Sequence, residues 1–254
     1  ILTGALGTAE SVWMTISHFA DDAAERYRVI APTYPADIAS MAELVDGIAG
    51  LLKGLHIERA SVLGGSAGGY VAQVFVRRHR ELVEKLIIAF AGPPKPERGR
   101  KIARAMWWLR LMPMGILRVV ARKRLGGLLP AGHPELRFIR AYLDEALRYH
   151  MTKEGFLNLC RRGADADLNY RFGPDDLAGW PGEVLLMMAD DDPSTPEPVG
   201  EALLALYPGA QIHLFHGGGH AAAILKRDEY LGVMEQFLAG SSPEACAGAT
   251  ARRE

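Results

Sequence analysis

Gly64-Gly65-Ser66-Ala67-Gly68 sets one serine among very small residues, between the apolar run Ser61-Val62-Leu63 and an amphipathic run from Tyr70. In G-x-S-x-G between a strand and a helix, the serine sits on a strained turn with its hydroxyl held above the end of the sheet. Gly64 and Gly68 let strand and helix pass closely, and Gly65 and Ala67 between them are small as well. A phosphate-cradling loop is disfavoured, because no Gly-Lys-Ser/Thr follows. The alternative is a glycine-rich turn with an incidental serine. A serine hydroxyl is a weak nucleophile and needs a base that a third group orients.

Chains built on such a turn carry the serine first, then an acid, then a histidine. Of eight histidines, His18, His56 and His79 precede the serine or end its own helix. His133 and His150 lie in a long helical stretch, and His213 lies inside an apolar run that reads as a strand. His216 and His220 remain, in "LFHGGGHAAAIL", and His220 is favoured because it ends the loop just before the last helix. The acid is expected after the preceding strand, where "VLLMMADDDPSTPEP" offers Asp190, Asp191 and Asp192. Thr195-Pro196-Glu197 reads as a cap, a first-turn proline and a first-turn acid, which leaves Asp192 in the loop as the favoured acid. At least one of the three is expected to be a plain surface aspartate. Acyl transfer also needs donors for an oxyanion. The amide of Ala67, next after the serine, and that of Ala5 in "ILTGALGTAESVW" are the candidates.

The elements that must position these groups alternate. Strands are expected at Tyr27–Ala31, Ser61–Leu63, Lys85–Phe90, Val184–Met188 and Gln211–Phe215. Helices are expected at Glu43–Lys53, Tyr70–His79, Glu197–Leu206 and Ala222–Leu238, where apolar residues fall at helical spacing. That order implies an α/β fold with a mostly parallel central sheet and helices on both faces. Residues 1–92 and 181–239 read as two parts of one core. Residues 93–180 read as a helical insertion, and 240–254 as a disordered tail.

Length and composition set the outer bounds. The chain has 254 residues, 49% hydrophobic and 23% charged, with a formal net charge of −1, so overall charge gives no hint of nucleic acid. Cys160 and Cys246 make neither a metal pattern nor a disulfide framework, so no metal or cofactor is expected and a cytoplasmic location is. No apolar run reaches membrane-spanning length. Ile1-Leu2-Thr3-Gly4 already reads as a strand end, which leaves open missing first strands or a removed leader. The sequence leaves the oligomeric state open.

From Ile1 to about Leu238 the chain resembles α/β-hydrolase fold proteins, on the Ser66 turn, the "ADDDPSTP" segment and "GGGH". The resemblance implies a serine hydrolase of esterase type. Ser66 would be nucleophile, His220 base, Asp192 orienting acid, and the Ala5 and Ala67 amides the oxyanion hole. A dehalogenase is disfavoured, since that class has aspartate where Ser66 stands. One departure is Thr3-Gly4, where the family often has His-Gly. "TGALGTAESVW", "YRVIAPTYP" and "LGGSAGGYVAQVF" are similar to the maspardin-like subgroup, which implies a second reading, a non-catalytic binding protein on the same fold. By analogy with the family, the helical insertion is a cap that lines the substrate pocket, with Trp107 and Trp108 as substrate contacts. Its first half is basic and apolar, a composition that suits peripheral contact with anionic lipid. The expected partner is otherwise a small ester or acyl compound.

Overall fold

The computed structural model describes residues 1–22, 27–130, 133–134 and 136–240. The expected tail from residue 241 onward, including Cys246, lies outside the described residues. In chain order the elements are α1 (Trp13–Ser17), α2 (Met41–Gly54), β1 (Ala60–Gly65), α3 (Ala67–Arg78), β2 (Val83–Ala89), α4 (Pro96–Leu111), α5 (Met114–Gly126), α6 (Leu136–Glu145), α7 (Lys153–Asn169), β3 (Glu183–Ala189), α8 (Glu197–Leu206), β4 (Gln211–Phe215), α9 (Ala222–Leu225) and α10 (Arg227–Leu238). Single wide turns of π type follow α1 at His18–Asp22 and α6 at Ala146–His150.

The four strands pair in the order β1-β2-β3-β4, all parallel. In β1, β2 and β3 the side chains alternate between two cores, as a period of two requires. Val62, Leu86, Ile88 and Leu186 face α2, α3 and α8. Leu63, Ile87, Leu185 and Met187 face Phe19 and the α10 residues Tyr230, Leu231, Met234 and Phe237. Burial on both faces explains why these strands read as continuous apolar runs. Helix α2 shows how local sequence sets an end. The Ser40 hydroxyl caps it by accepting from the Glu43 amide at 3.1 Å, and Leu44, Val45, Ile48 and Leu52 then bury one face.

Two expected elements differ. Tyr27–Ala31 forms no strand. A strand needs a ladder, and among the described residues the segment is linked by the Ile1 amino group, which donates to the Ile30 carbonyl at 2.7 Å. Leu2 occupies the outer edge of β1 instead, as a single bridge to Gly64. The expected last helix is two, α9 and α10, separated at Lys226, whose φ of −120° and ψ of 40° leave the helical range.

Between β2 and β3 the chain is helical, α4 through α7. Leu117, Ala121, Leu143, Leu147, Phe156 and Leu157 make a small core of their own, and Leu6 of the first loop packs against it. The insertion is also tied to the sheet layers. Asp165 of α7 accepts from the Met41 amide at 2.7 Å, and Ala166 lies in the main core. Asp167, fully buried, accepts from Arg98 Nε at 2.7 Å and from the Lys95 amide at 2.8 Å, which locks α7 to the start of α4.

Candidate active site

Ser66 ends β1 and opens α3 with φ 53° and ψ −122°, a conformation that L side chains rarely adopt. The surroundings enforce it. The Ser66 amide donates to the Ala89 carbonyl at 2.9 Å, and the Gly69 amide donates back to the Ser66 carbonyl at 3.0 Å. The glycines are there for close approach. A Cβ on Gly64 would lie 2.4 Å from the Gly68 carbonyl oxygen, and one on Gly68 would lie 2.3 Å from that of Leu2. A Cβ on Gly69 would lie 2.4 Å from the Ala91 Cβ. Gly65 has open space around it, so its smallness is not demanded in the same way.

The structure brings Ser66, His220 and Asp192 together. Ser66 Oγ stands 2.8 Å from His220 Nε2, and His220 Nδ1 stands 2.9 Å from Asp192 Oδ2. An ionised carboxylate only accepts, so Nδ1 carries the proton and Nε2 is free to accept from the serine. The Asp192 side chain is fully buried and that of His220 nearly so. Burial pushes the Asp192 carboxyl up. The hydrogen bond and charge of His220, with two donors from Ser194, outweigh it and hold the group below its ordinary range.

Ser194 was not singled out by sequence reasoning. Its amide and its hydroxyl each donate to Asp192 Oδ1 at 2.8 Å, which reserves Oδ2 for the histidine. Its Oγ also stands 2.9 Å from His220 Nδ1, so the Nδ1 proton is shared between carboxylate and hydroxyl. The signal was an aspartate two residues before a serine, an Asx-type turn. Phe90 is expected to end a strand, but β2 stops at Ala89 and Phe90 turns to φ 52°. Its ring meets His220 edge-on with centroids 6.4 Å apart. His216 is not part of this group. It is mostly exposed and pairs with Asp190 at 2.9 Å.

Gly4 abuts the serine, since a Cβ on it would lie 3.9 Å from Ser66 Cβ. The Gly7 amide closes a turn on the Gly4 carbonyl at 3.0 Å, with Gly7 at φ 68°. Ala5 is the second residue of that turn. Ala67 opens α3, where the helix supplies no acceptor for its N–H. Trp107 and Trp108 are 60% and 62% exposed and pack edge-to-face on each other, with ring centroids 4.5 Å apart. A cavity of about 470 Å³ lies beside β1 under Ile1 and Leu2, and none of Ser66, Asp192 or His220 lines it.

The model of the alpha/beta hydrolase family matches residues 2–232. The chain belongs to that family. It is similar to a putative carbamate hydrolase, RutD, of Serratia proteamaculans, at 27% identity over 248 residues, which covers 94% of this chain and 90% of the relative. It is also 27% identical over 199 residues to a 2-hydroxy-6-oxononadienedioate/2-hydroxy-6-oxononatrienedioate hydrolase of Paraburkholderia xenovorans, covering 75% of this chain and 65% of that one. Among solved structures, an enol-lactonase from Burkholderia xenovorans superposes with a TM-score of 0.74 at 20% identity, over 93% of this chain and 89% of that chain. The fold of this hydrolase is thereby that of its structural neighbours.

Proposed function

We propose that this chain is a serine hydrolase of small carboxylic esters or related acyl compounds, working through an acyl-enzyme. The observation that carries this is the unbroken hydrogen-bonded path from Ser66 Oγ through the His220 ring to Asp192. Ser66 Oγ attacks the carbonyl carbon while His220 Nε2 takes its proton. Asp192 holds the imidazole in the required tautomer and stabilises its charged form. The Ala5 and Ala67 amides receive the oxyanion. His220 then passes the proton to the leaving alcohol, and water repeats the sequence to release the acid.

An adaptor on the same scaffold would have no use for a buried acid aligned behind a histidine and a strained serine, so the geometry favours hydrolysis over that reading. The carbamate hydrolase name of the Serratia relative fits the same attack on an acyl carbon, and a carbon–carbon hydrolase would share the first steps. A peripheral lipid contact through the basic helices would bring amphiphilic acyl compounds to the site. Two cysteines without a metal or disulfide pattern support a cytoplasmic setting, and among the described residues no helix is long and apolar enough to cross a membrane.

The test is labelling with a fluorophosphonate probe alongside turnover of a short activated ester. Native protein takes the label and turns over. Ser66→Ala loses the label and several orders of magnitude in rate, with unchanged circular dichroism. Full turnover by folded Ser66→Ala overturns the proposal.

A further inference from the structure

We infer that the outward faces of α4 and α5 form a docking surface for an anionic lipid bilayer. From Lys95 to Arg124 these helices carry ten of the chain's 29 Lys and Arg but only Glu97 of its 30 Asp and Glu. Their inward faces are satisfied, since Met106, Leu109, Leu117 and Ala121 pack into the insertion's own core. The opposite faces are apolar as well. Trp107, Trp108 and Leu111 on α4 are 60–62% exposed, and on α5 Ile116 and Val119 are 50% and 65% exposed. Each set follows one helical face. A helix packed on one side in water normally presents polar residues on the other.

The charges decide the occupant. Arg98 is held by Asp167, Arg100 by Glu97, Arg122 by Asp144, and Arg118 by the Leu147 carbonyl. Lys101, Arg104, Arg110, Lys123 and Arg124 have no acidic partner among the described residues. Arg104 and Lys123 lie in line with the apolar stripes, one helical turn from Trp107 and Trp108 and from Val119 and Val120. Unpaired cations interleaved with indole and branched aliphatic side chains match a layer of anionic headgroups over acyl chains. The aliphatic stems and rings enter the boundary while the charged tips stay at phosphate depth. An acidic protein partner would also bury the tryptophans, but it would bring a few placed carboxylates, whereas unpaired cations spread over both helices suit a continuous layer of headgroups. A second copy of the chain would bring basic against basic. Lipid docking stands independently of the hydrolase reading, because binding is read without turnover.

The full chain is sedimented with vesicles of phosphatidylcholine alone and with added phosphatidylglycerol, at low and high salt. Binding is expected only with the anionic vesicles, weakening as salt rises. The exposed triple variant Lys101→Glu, Arg104→Glu, Lys123→Glu is expected to bind about tenfold more weakly or worse, with unchanged circular dichroism. Trp108→Ala is expected to bind less tightly, and the tryptophan fluorescence of the native protein to shift blue on anionic vesicles by more than that of Trp108→Ala. No binding at low salt, equal binding to neutral vesicles, or an unaffected triple variant overturns the inference. A concentration-dependent dimer that Trp107→Ala and Trp108→Ala abolish, without vesicle binding, assigns the surface to self-association and overturns it too.

Discussion

The Asp191 carboxylate accepts a hydrogen bond from the Gly219 amide at 2.7 Å, one residue before the histidine that faces Ser66. Its neighbours act in parallel. Asp190 accepts from the Gly217 amide at 2.9 Å and pairs with His216, while Asp192 holds His220. Three successive carboxylates therefore grip successive points of "HGGGH", whose glycines have φ of 80°, 94° and 54°. Asp190 and Asp191 are exposed, yet neither is the idle surface aspartate that three in a row suggested.

These grips rank the three substitutions. Asp192→Asn is expected to lower kcat most, by about 10³–10⁴, because a neutral amide favours the wrong imidazole tautomer. Asp191→Ala removes the acceptor beside Gly219 and is expected to cost about tenfold through a looser His220. Asp190→Ala, farther from the histidine in chain, is expected to cost less. Steady-state kinetics on one activated ester checks the order, and equal losses in all three would place the orienting acid elsewhere.

Ser194 supplies a second prediction. Ser194→Ala removes one donor to Asp192 Oδ1 and the second acceptor for the His220 Nδ1 proton, while the Ser194 amide bond to Asp192 survives. A net loss of about one hydrogen bond implies roughly five- to tenfold in kcat. KM is expected to stay nearly constant, and Ser194→Thr to recover much of the rate. An unchanged kcat in Ser194→Ala would show that the hydroxyl does not orient the pair.

The lowered Asp192 carboxyl also fixes a stability trend. A group whose folded pKa is depressed stabilises the fold above its unfolded value, about 3.9 for aspartate, and that contribution is lost as pH falls through the folded value. Asp192→Asn removes the titrating group. Its stability relative to the native protein, measured by urea unfolding, is therefore expected to be lowest near neutral pH. The gap should narrow as pH falls below about 4. A gap that widens toward acid would mean the carboxyl is not stabilised in its charged form.

Much of the site was legible because its constraints are local. The Ser66 turn needs small neighbours at fixed offsets, and Thr195-Pro196-Glu197 marked a helix start that left Asp192 in its loop. Chain order and the reading of His213 as a strand residue then left His216 and His220, and the place at the end of the loop favoured His220. What escaped was set by tertiary partners. Tyr27–Ala31 has the composition of a strand but no ladder to join. Phe90 continues an apolar run and its amide still donates to the Met187 carbonyl of β3 at 2.9 Å, but its φ of 52° takes the chain out of β2. Ser194 lies in a loop of ordinary polar residues, and its role exists only once His220 arrives from 26 residues away.

The glycines of the turn give the last prediction, one that separates close approach from mere smallness. Gly65 and Gly68 flank Ser66 at similar distance in sequence, yet their surroundings differ. A methyl group on Gly65 meets nothing within 4 Å. On Gly68 it would lie 2.3 Å from the Leu2 carbonyl oxygen and 2.8 Å from that of Thr3, and these are backbone atoms that cannot rotate aside. Relief would require α3 to move away from the segment carrying Gly4 and Ala5, which disturbs the serine and the proposed oxyanion donors together. Overpacking of this kind costs roughly 1–3 kcal/mol or more. Gly65→Ala is therefore expected to retain native stability in thermal unfolding. Gly68→Ala is expected to lose several degrees and most of the esterase rate. Equal tolerance of both would mean that the approach of α3 to Leu2 is looser than the geometry requires.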